Sequence, residues 1–194
     1  MTDETLEPKS VRASRTTITE LMIPSYANFG GKIHGGILLS LMDKVAYVCA
    51  SRHSGTYCVT VSVDGVDFLQ PVDVGDLVSL KASVNYVGRT SLVVGIQVSA
   101  ENVRQALVKH TNTSYFTMVA RDEDGQPVVV PPLILETDDD IRRFVTASKR
   151  RKLGFRVRKR MQSYRDEFRV DDRTKAAVEG ERCVIANDGE LGPR

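Results

Sequence analysis

From Gly36 to about Arg52 the sequence reads as a helix whose apolar residues cover most of its circumference: Ile37, Leu38, Leu39, Leu41, Met42, Val45, Ala46, Val48, Cys49 and Ala50. A helix apolar on nearly every side has to be wrapped by other elements. The period then changes to two. Val59, Val61 and Val63 alternate with Thr60, Ser62 and Asp64, and 77–87 alternate through Val78, Leu80, Ala82, Val84 and Tyr86. The turn Val87-Gly88-Arg89-Thr90 leads into Leu92, Val94, Ile96 and Val98, a hairpin. A first strand at 16–23 ends at Pro24, and a strand near 108–120 precedes the turn Asp122-Glu123-Asp124-Gly125. Beyond Gly65 the apolar set slips phase to Val66 and Phe68, which predicts a bulge at that glycine. Strand, buried helix and four antiparallel strands together predict an α+β fold in which one long sheet wraps around one central helix.

The helix's polar exceptions, Ser40, Asp43 or Lys44, Tyr47 and Ser51, fall on one narrow stripe. Asp43 is therefore expected to face a cleft or a subunit contact, and desolvation there would make it a stronger base. Just upstream, Asn28 lies in a glycine-rich loop and Gly35-Gly36 stand at the helix start. Each type has a use in acyl transfer. An amide orients a water or a carbonyl, unpaired N–H groups at the positive helix end stabilise an oxyanion, and a carboxylate acts as base or nucleophile. Each also has a plainer reading. Asp43 can be satisfied by Lys44, Arg52 or a partner subunit, Asn28 can be a turn former, and glycine can be merely tolerated at a helix start. His34 is read as positioning the loop, because the carboxylate already supplies a base.

Charge divides the chain. Residues 1–140 carry 11 Lys/Arg against 17 Asp/Glu, net −6, whereas 141–194 carry 16 against 8, net +8. The expected organisation is a flexible N-terminus at 1–14, a folded domain at 15–136, a basic helical extension at 137–169 and a disordered tail at 170–194. Ile141, Phe144 and Val145 are candidate docking residues. Within 149–160, eight of twelve residues are basic. This segment is read first as a solvated face, with weak, salt-dependent attachment to acidic lipid or nucleic acid as the functional alternative. No nucleic-acid partner is expected, since neither a binding motif nor stacking aromatics accompany the charge. No apolar run approaches the ~20 residues of a membrane helix, so no stable membrane insertion is expected. The start MTDETLEPKS lacks an apolar secretory core. Cys49, Cys58 and Cys183 are odd in number and lack ligand spacing, which suits reduced thiols in the cytoplasm. His34, His53 and His110 are too widely separated to suggest a metal site, and no P-loop or dinucleotide fingerprint is present.

The pattern N-F-x-G-x-x-H-G-G-x(6)-D from Asn28 to Asp43 resembles the hotdog-fold acyl-CoA thioesterases. The similar branch is the bacterial cytosolic acyl-CoA hydrolases, related to the vertebrate brain acyl-CoA hydrolase. VTVSVDGVDFLQPVDVGD (59–76), VNYVGRTSL (84–92) and YFTMVARDEDGQPVVVPPL (115–133) carry the likeness further, over about 15–135, with a weaker echo in the basic run after the core. The resemblance implies that Asn28 and Asp43 are the catalytic pair and that Gly88-Arg89-Thr90-Ser91 helps hold coenzyme A. It also implies a site built between two subunits of a dimer, commonly within a trimer of dimers. On that reading the chain hydrolyses acyl-CoA to free acid and coenzyme A, with Asp43 as general base or as nucleophile through an anhydride. Gly35-Gly36 would polarise the thioester, and Lys149, Arg150 and Arg151 would meet the nucleotide phosphates from the same or a neighbouring subunit. No cofactor is expected, because a thioester is already activated; coenzyme A enters as part of substrate and product. A non-catalytic acyl-CoA-binding regulator and an interaction protein using the basic tail are the other classes.

Overall fold

A computed structural model describes residues 6–178 and 180–185. In chain order the elements are β1 (Lys9–Ser10), α1 (Val11–Ser14), β2 (Thr16–Leu21), α2 (Gly35–Ser54), β3 (Tyr57–Val63), β4 (Leu77–Val87), β5 (Ser91–Asn102), β6 (Leu107–Arg121), β7 (Leu133–Ile134), α3 (Asp138–Glu167) and α4 (Asp172–Ala176). The five longer strands form an antiparallel sheet in the order β2–β4–β5–β6–β3, the wrapping sheet that the period-two segments predict. Helix α2 is the centre of this wrap. Its residues Leu38, Leu41, Met42, Val45, Ala46, Cys49 and Ala50 pack against Val78, Leu80, Val84, Val94, Ile96 and Phe116 from the strands. Full burial of one such aliphatic side chain contributes ~1.5–3 kcal/mol. Gly55, at φ 77°, closes the helix in the left-handed conformation that a side chain would disfavour.

The circumferential burial expected of α2 is only half met. Leu39, Ser40, Asp43, Lys44 and Tyr47 are exposed in the single chain, so one face of the helix looks away from the sheet. The strands also depart from their expected phase. The bulge expected at Gly65 lies instead at Val61, where the β3–β6 register shifts between Thr60 and Ser62. The regular ladder ends at Val63. Beyond it the chain stays beside β6 through Asp64 N–H to the Tyr115 carbonyl and Leu69 N–H to the Thr111 carbonyl, both at 2.9 Å, so the apolar slip beyond Gly65 falls outside the regular ladder. A second shift, between Val84 and Tyr86, makes Asn85 the extra residue of β4. Tyr86 is thereby turned to the outer face, where its ring meets Phe144 at a centroid distance of 5.1 Å.

The segment boundaries move for similar reasons. Within the 1–14 segment read as flexible, β1 pairs in parallel with β7, and Val11 and Ser14 are buried. The contacts divide the chain into Met1–Arg151 and Lys152–Arg194, not near 136. The first half of α3 belongs to the first unit because Asp140 and Ala147 are buried there and Phe144 meets Tyr86. Ile141 and Val145, the other candidate docking residues, are exposed. The second unit holds the rest of α3 and then α4, whose start Asp171 caps reciprocally with Thr174, inside the tail expected to be disordered. Residues 1–5, 179 and 186–194 of the expected termini lie outside the described residues. No helix among the described residues is long and apolar enough to cross a membrane.

His53 ties the end of α2 to the chain leading into β7. It is fully buried, and Nε2 donates to the Pro131 carbonyl at 2.8 Å, while Nδ1 has no partner among the described residues. Burial pushes the imidazole below its usual range. The unfolded chain therefore takes up a proton near pH 6.5 that the folded chain resists, so this group's contribution to stability is complete above about pH 6.5 and falls as the pH drops below it. Thermal melting at pH 7 and pH 5 should show a smaller acid-induced drop in Tm for His53→Gln than for the wild type. Equal drops would contradict this account.

Candidate active site

The loop before α2 is held in place by its neighbours. Ile33 N–H donates to the Val72 carbonyl at 2.9 Å, and Lys32 pairs with Asp73, whose carboxyl that contact holds below the usual carboxylate range. Asn28 shapes the turn itself. Its Oδ1 accepts from Gly30 N–H at 2.9 Å and from Lys32 N–H at 3.2 Å. The plainer reading, that of a turn former, therefore describes this oxygen. Only the Nδ2 amide of Asn28 remains to face a ligand. His34 caps α2, with Nδ1 accepting from Gly36 N–H at 2.9 Å. This cap takes one of the two N–H groups expected to polarise a thioester. Gly36 N–H is occupied, whereas Gly35 N–H makes no hydrogen bond to the described residues. Both positions are tight. A Cβ at Gly36 would stand 2.8 Å from the His34 ring, and one at Gly35 would stand 3.3 Å from the Phe68 ring.

Asp43 is exposed in the single chain, so this chain alone does not supply the desolvation expected around it. Its Oδ1 accepts a hydrogen bond from Thr60 Oγ1 at 2.6 Å. Thr60 also lies 3.1 Å from Met118 Sδ, but the carboxylate is the stronger acceptor for its single proton. The carboxylate's second oxygen has no partner among the described residues, which leaves it free to take a proton. Asp43 and Thr60 open into a cleft of about 390 Å³ lined by Val48, Val59 and Met118, with Tyr47 and Tyr57 paired at 5.9 Å between ring centroids. Thr60 escapes sequence reading because it looks like one more polar member of an alternating strand. The bulge directly after it sets it apart, since bulges commonly re-aim side chains beside sites.

Asn28 and Asp43 make no hydrogen bond to one another. Asp43 stands eight residues beyond Gly35, ~12 Å along the helix axis at 1.5 Å per residue. The β4–β5 turn is compact, with Gly88 N–H donating to the Ser91 carbonyl at 2.7 Å. Its carbonyls are tied down by Val130 N–H to Arg89 at 2.9 Å and Ala120 N–H to Thr90 at 3.0 Å. The Arg89 side chain is exposed and has no ion-pair partner among the described residues. Of the three basic residues expected beside it, Arg151 approaches through Tyr86. Its guanidinium lies 5.7 Å from that ring, and a Cβ at Gly88 would be 3.9 Å from the same ring. Arg150 instead covers the Tyr115 ring at 4.5 Å, and Lys149 is exposed.

The thioesterase superfamily profile matches residues 30–107. The chain is 47% identical to protein VdlD of Helicobacter pylori over 146 residues, 74% of this chain and 83% of that protein. It is 35% identical to an uncharacterized acyl-CoA thioester hydrolase, YkhA, of Bacillus subtilis, covering 76% and 86% of the two chains. Among solved structures it is similar to an acyl-CoA hydrolase from Staphylococcus aureus in complex with butyryl coenzyme A and coenzyme A. There the TM-score is 0.72 and the identity 32%, over 81% of this chain and 95% of that one. Single alanine variants of that enzyme, at an Asn, an Asp and a Thr, have also been solved. An apo-hexameric acyl-CoA thioesterase matches with a TM-score of 0.71 and 34% identity, over 84% of this chain and all of that one. The chain belongs to the acyl-CoA thioester hydrolases of the hotdog-fold thioesterase superfamily.

The Thr60 hydroxyl fixes one carboxylate oxygen of Asp43 while leaving the other free, a positioning role. Thr60→Val should lower kcat for acyl-CoA hydrolysis about tenfold, in line with the loss of one charge-assisted hydrogen bond, with little change in KM. Thr60→Ser should retain most of the activity. Unchanged kcat in Thr60→Val, measured by thiol release, would contradict this role. Gly36→Val should also lower kcat by driving the His34 ring off the helix start, and an unaltered rate would refute that geometry.

Proposed function

We propose that this chain hydrolyses acyl-CoA to a free carboxylic acid and coenzyme A, with Asp43 as general base. The observation that carries the reading is the 2.6 Å hydrogen bond from Thr60 to one oxygen of Asp43, which leaves the other open to a cleft. That free oxygen takes a proton from water as the water oxygen attacks the thioester carbonyl. The carbonyl oxygen becomes an oxyanion facing Gly35 N–H and the Asn28 amide. When the intermediate collapses, the carbon–sulfur bond breaks and the proton on Asp43 passes to the leaving thiolate. Nothing in this sequence of steps calls for a metal or a redox cofactor.

One chain is too extended to do this alone. The base and the oxyanion donors must both lie ~3 Å from the reacting group, yet Asp43 stands ~12 Å along α2 from Gly35. The site therefore draws Asp43 from one protomer and the Gly35 and Asn28 end of α2 from its partner. The exposed face of α2, with Leu39 and Tyr47, and the fully exposed Phe29 beside Asn28 suit burial in such a contact. That contact also supplies the desolvation the single chain lacks. The hexameric relative supports a trimer of these dimers. Arg89 and Arg151, near the hairpin end, suit the phosphates of coenzyme A.

A non-catalytic acyl-CoA binder would need the same cleft but not a carboxylate aligned by a hydroxyl. Turnover separates the two readings. Removing the base should lower kcat at least ~100-fold in Asp43→Asn, measured by thiol release over a series of acyl-CoA chain lengths. Turnover equal to the wild type would refute the assignment. Removing residues 152–194, the second unit, should leave hydrolysis largely intact. Complete loss in a folded product would favour a function carried by the basic tail.

A further inference from the structure

On the outer face of the sheet, opposite α2, lies a cavity of about 540 Å³ that the hydrolytic site does not use. Its floor is polar strand surface, Lys81, Ser83, Asn85, Gln97, Thr113 and Tyr115, and the first half of α3 roofs it with Arg142, Arg143 and Thr146. Arg15 also lines it. Two features of the sheet shape this floor. Asn85 is the extra residue of the β4 bulge, and nearby Gly95, the β5 partner of Ser83, has no side chain. A Cβ at Gly95 would stand 2.1 Å from Asn85 Nδ2, so the amide lies across space that only glycine leaves open.

Hydrogen-bond donors dominate the lining. Asn85 is 5% exposed, and its Oδ1 is occupied by the Ser83 hydroxyl at 2.9 Å, while Nδ2 has no acceptor among the described residues. Nδ2 is not shut off inside the fold: it opens to the cavity, where an acceptor from outside the chain can reach it. Lys81 is exposed and forms no ion pair among the described residues. Arg143 also reaches the Ser83 hydroxyl, at 3.4 Å. The one carboxylate in the lining, Asp139, is shared between Arg142 and Arg143, and Arg15 pairs with the buried Asp140 at 3.3 Å. Positive charge remains in excess after both carboxylates are counted.

We propose that this cavity binds a phosphorylated small molecule carrying more than one negative charge. Several cationic and amide donors converge on a space larger than one inorganic ion, and phosphate oxygens match both Arg forks and a Lys point charge. The ligand can be a free phosphorylated metabolite or the nucleotide end of coenzyme A, which share this chemistry. The inference does not depend on the hydrolytic reading, because binding is measured with no thioester present.

The test is calorimetric titration of the full-length protein with ADP and with inorganic pyrophosphate, on the wild type, Lys81→Gln and Gly95→Ala. Lys81 is a surface residue whose loss leaves the fold intact, and thermal melting checks that Gly95→Ala is folded. Saturable binding to the wild type, weakened at least about tenfold in Lys81→Gln, is the expected result. If KM for acyl-CoA is unchanged in Lys81→Gln, the ligand is a free phosphorylated molecule. If KM rises in parallel with the loss of ADP affinity, it is the nucleotide end of coenzyme A. The absence of saturable binding, or equal affinity in the wild type and Lys81→Gln, would overturn the proposal.

Discussion

Everything in this molecule hangs on the packing of α2 into the concave side of the sheet, and on that packing being one-sided. Leu38, Met42, Val45, Ala46 and Cys49 bury one face of the helix against β4, β5 and β6. Replacing a buried Met or Leu there by Ala would cost ~2–5 kcal/mol, a large part of the stability of an ordinary domain. The same packing sets the direction of the opposite face. Asp43 and Tyr47 are held in a fixed outward orientation by residues that never approach the chemistry. The rigid helix thus acts as a ruler, with the Gly35 N–H at its start and a carboxylate two turns on.

Around that helix, the bulges do much of the local work. The shift beside Thr60 accompanies the aim of its hydroxyl at Asp43, and the shift at Asn85 places both Asn85 and Tyr86 on the outer face. Each inserts one residue into an otherwise regular ladder and changes which side chains share a surface. The two faces of the sheet are thereby made chemically different. The inner face is a mainly apolar core, with the buried Asn112 amide donating to Met42 Sδ, and the outer face is a polar floor beneath α3.

The central helix, the wrapping sheet and the β4–β5 turn are all legible in the sequence, because each rests on a period of 3.6 or 2 that local residues impose. Asp43 is legible as a carboxylate in an apolar helix. Thr60 is not, since its partner lies across the fold and its own strand pattern is unremarkable. The occupied N–H of Gly36 is likewise hidden, because it depends on the rotamer of His34. The bulge at Asn85 is hidden for a third reason: Tyr86 continues the apolar alternation by type while reversing it in space. The order at 9–14 is hidden because parallel pairing between Lys9–Ser10 and Leu133–Ile134 joins residues far apart in sequence. Propensity at either end gives no hint of it.

On the proposed reading, the length of α2 between Gly35 and Asp43 calls for a catalytic unit of two chains rather than one. The most direct test is complementation between two inactive variants, Asp43→Ala and Gly36→Val, mixed in equal amounts under conditions that exchange subunits. If each site takes its carboxylate from one chain and its helix start from the other, every mixed dimer regains one intact site. Random pairing then restores about a quarter of wild-type thiol release, as the two-fold symmetry of a dimer requires. Activity that stays at the average of the two variants alone, despite demonstrated exchange, would contradict the account.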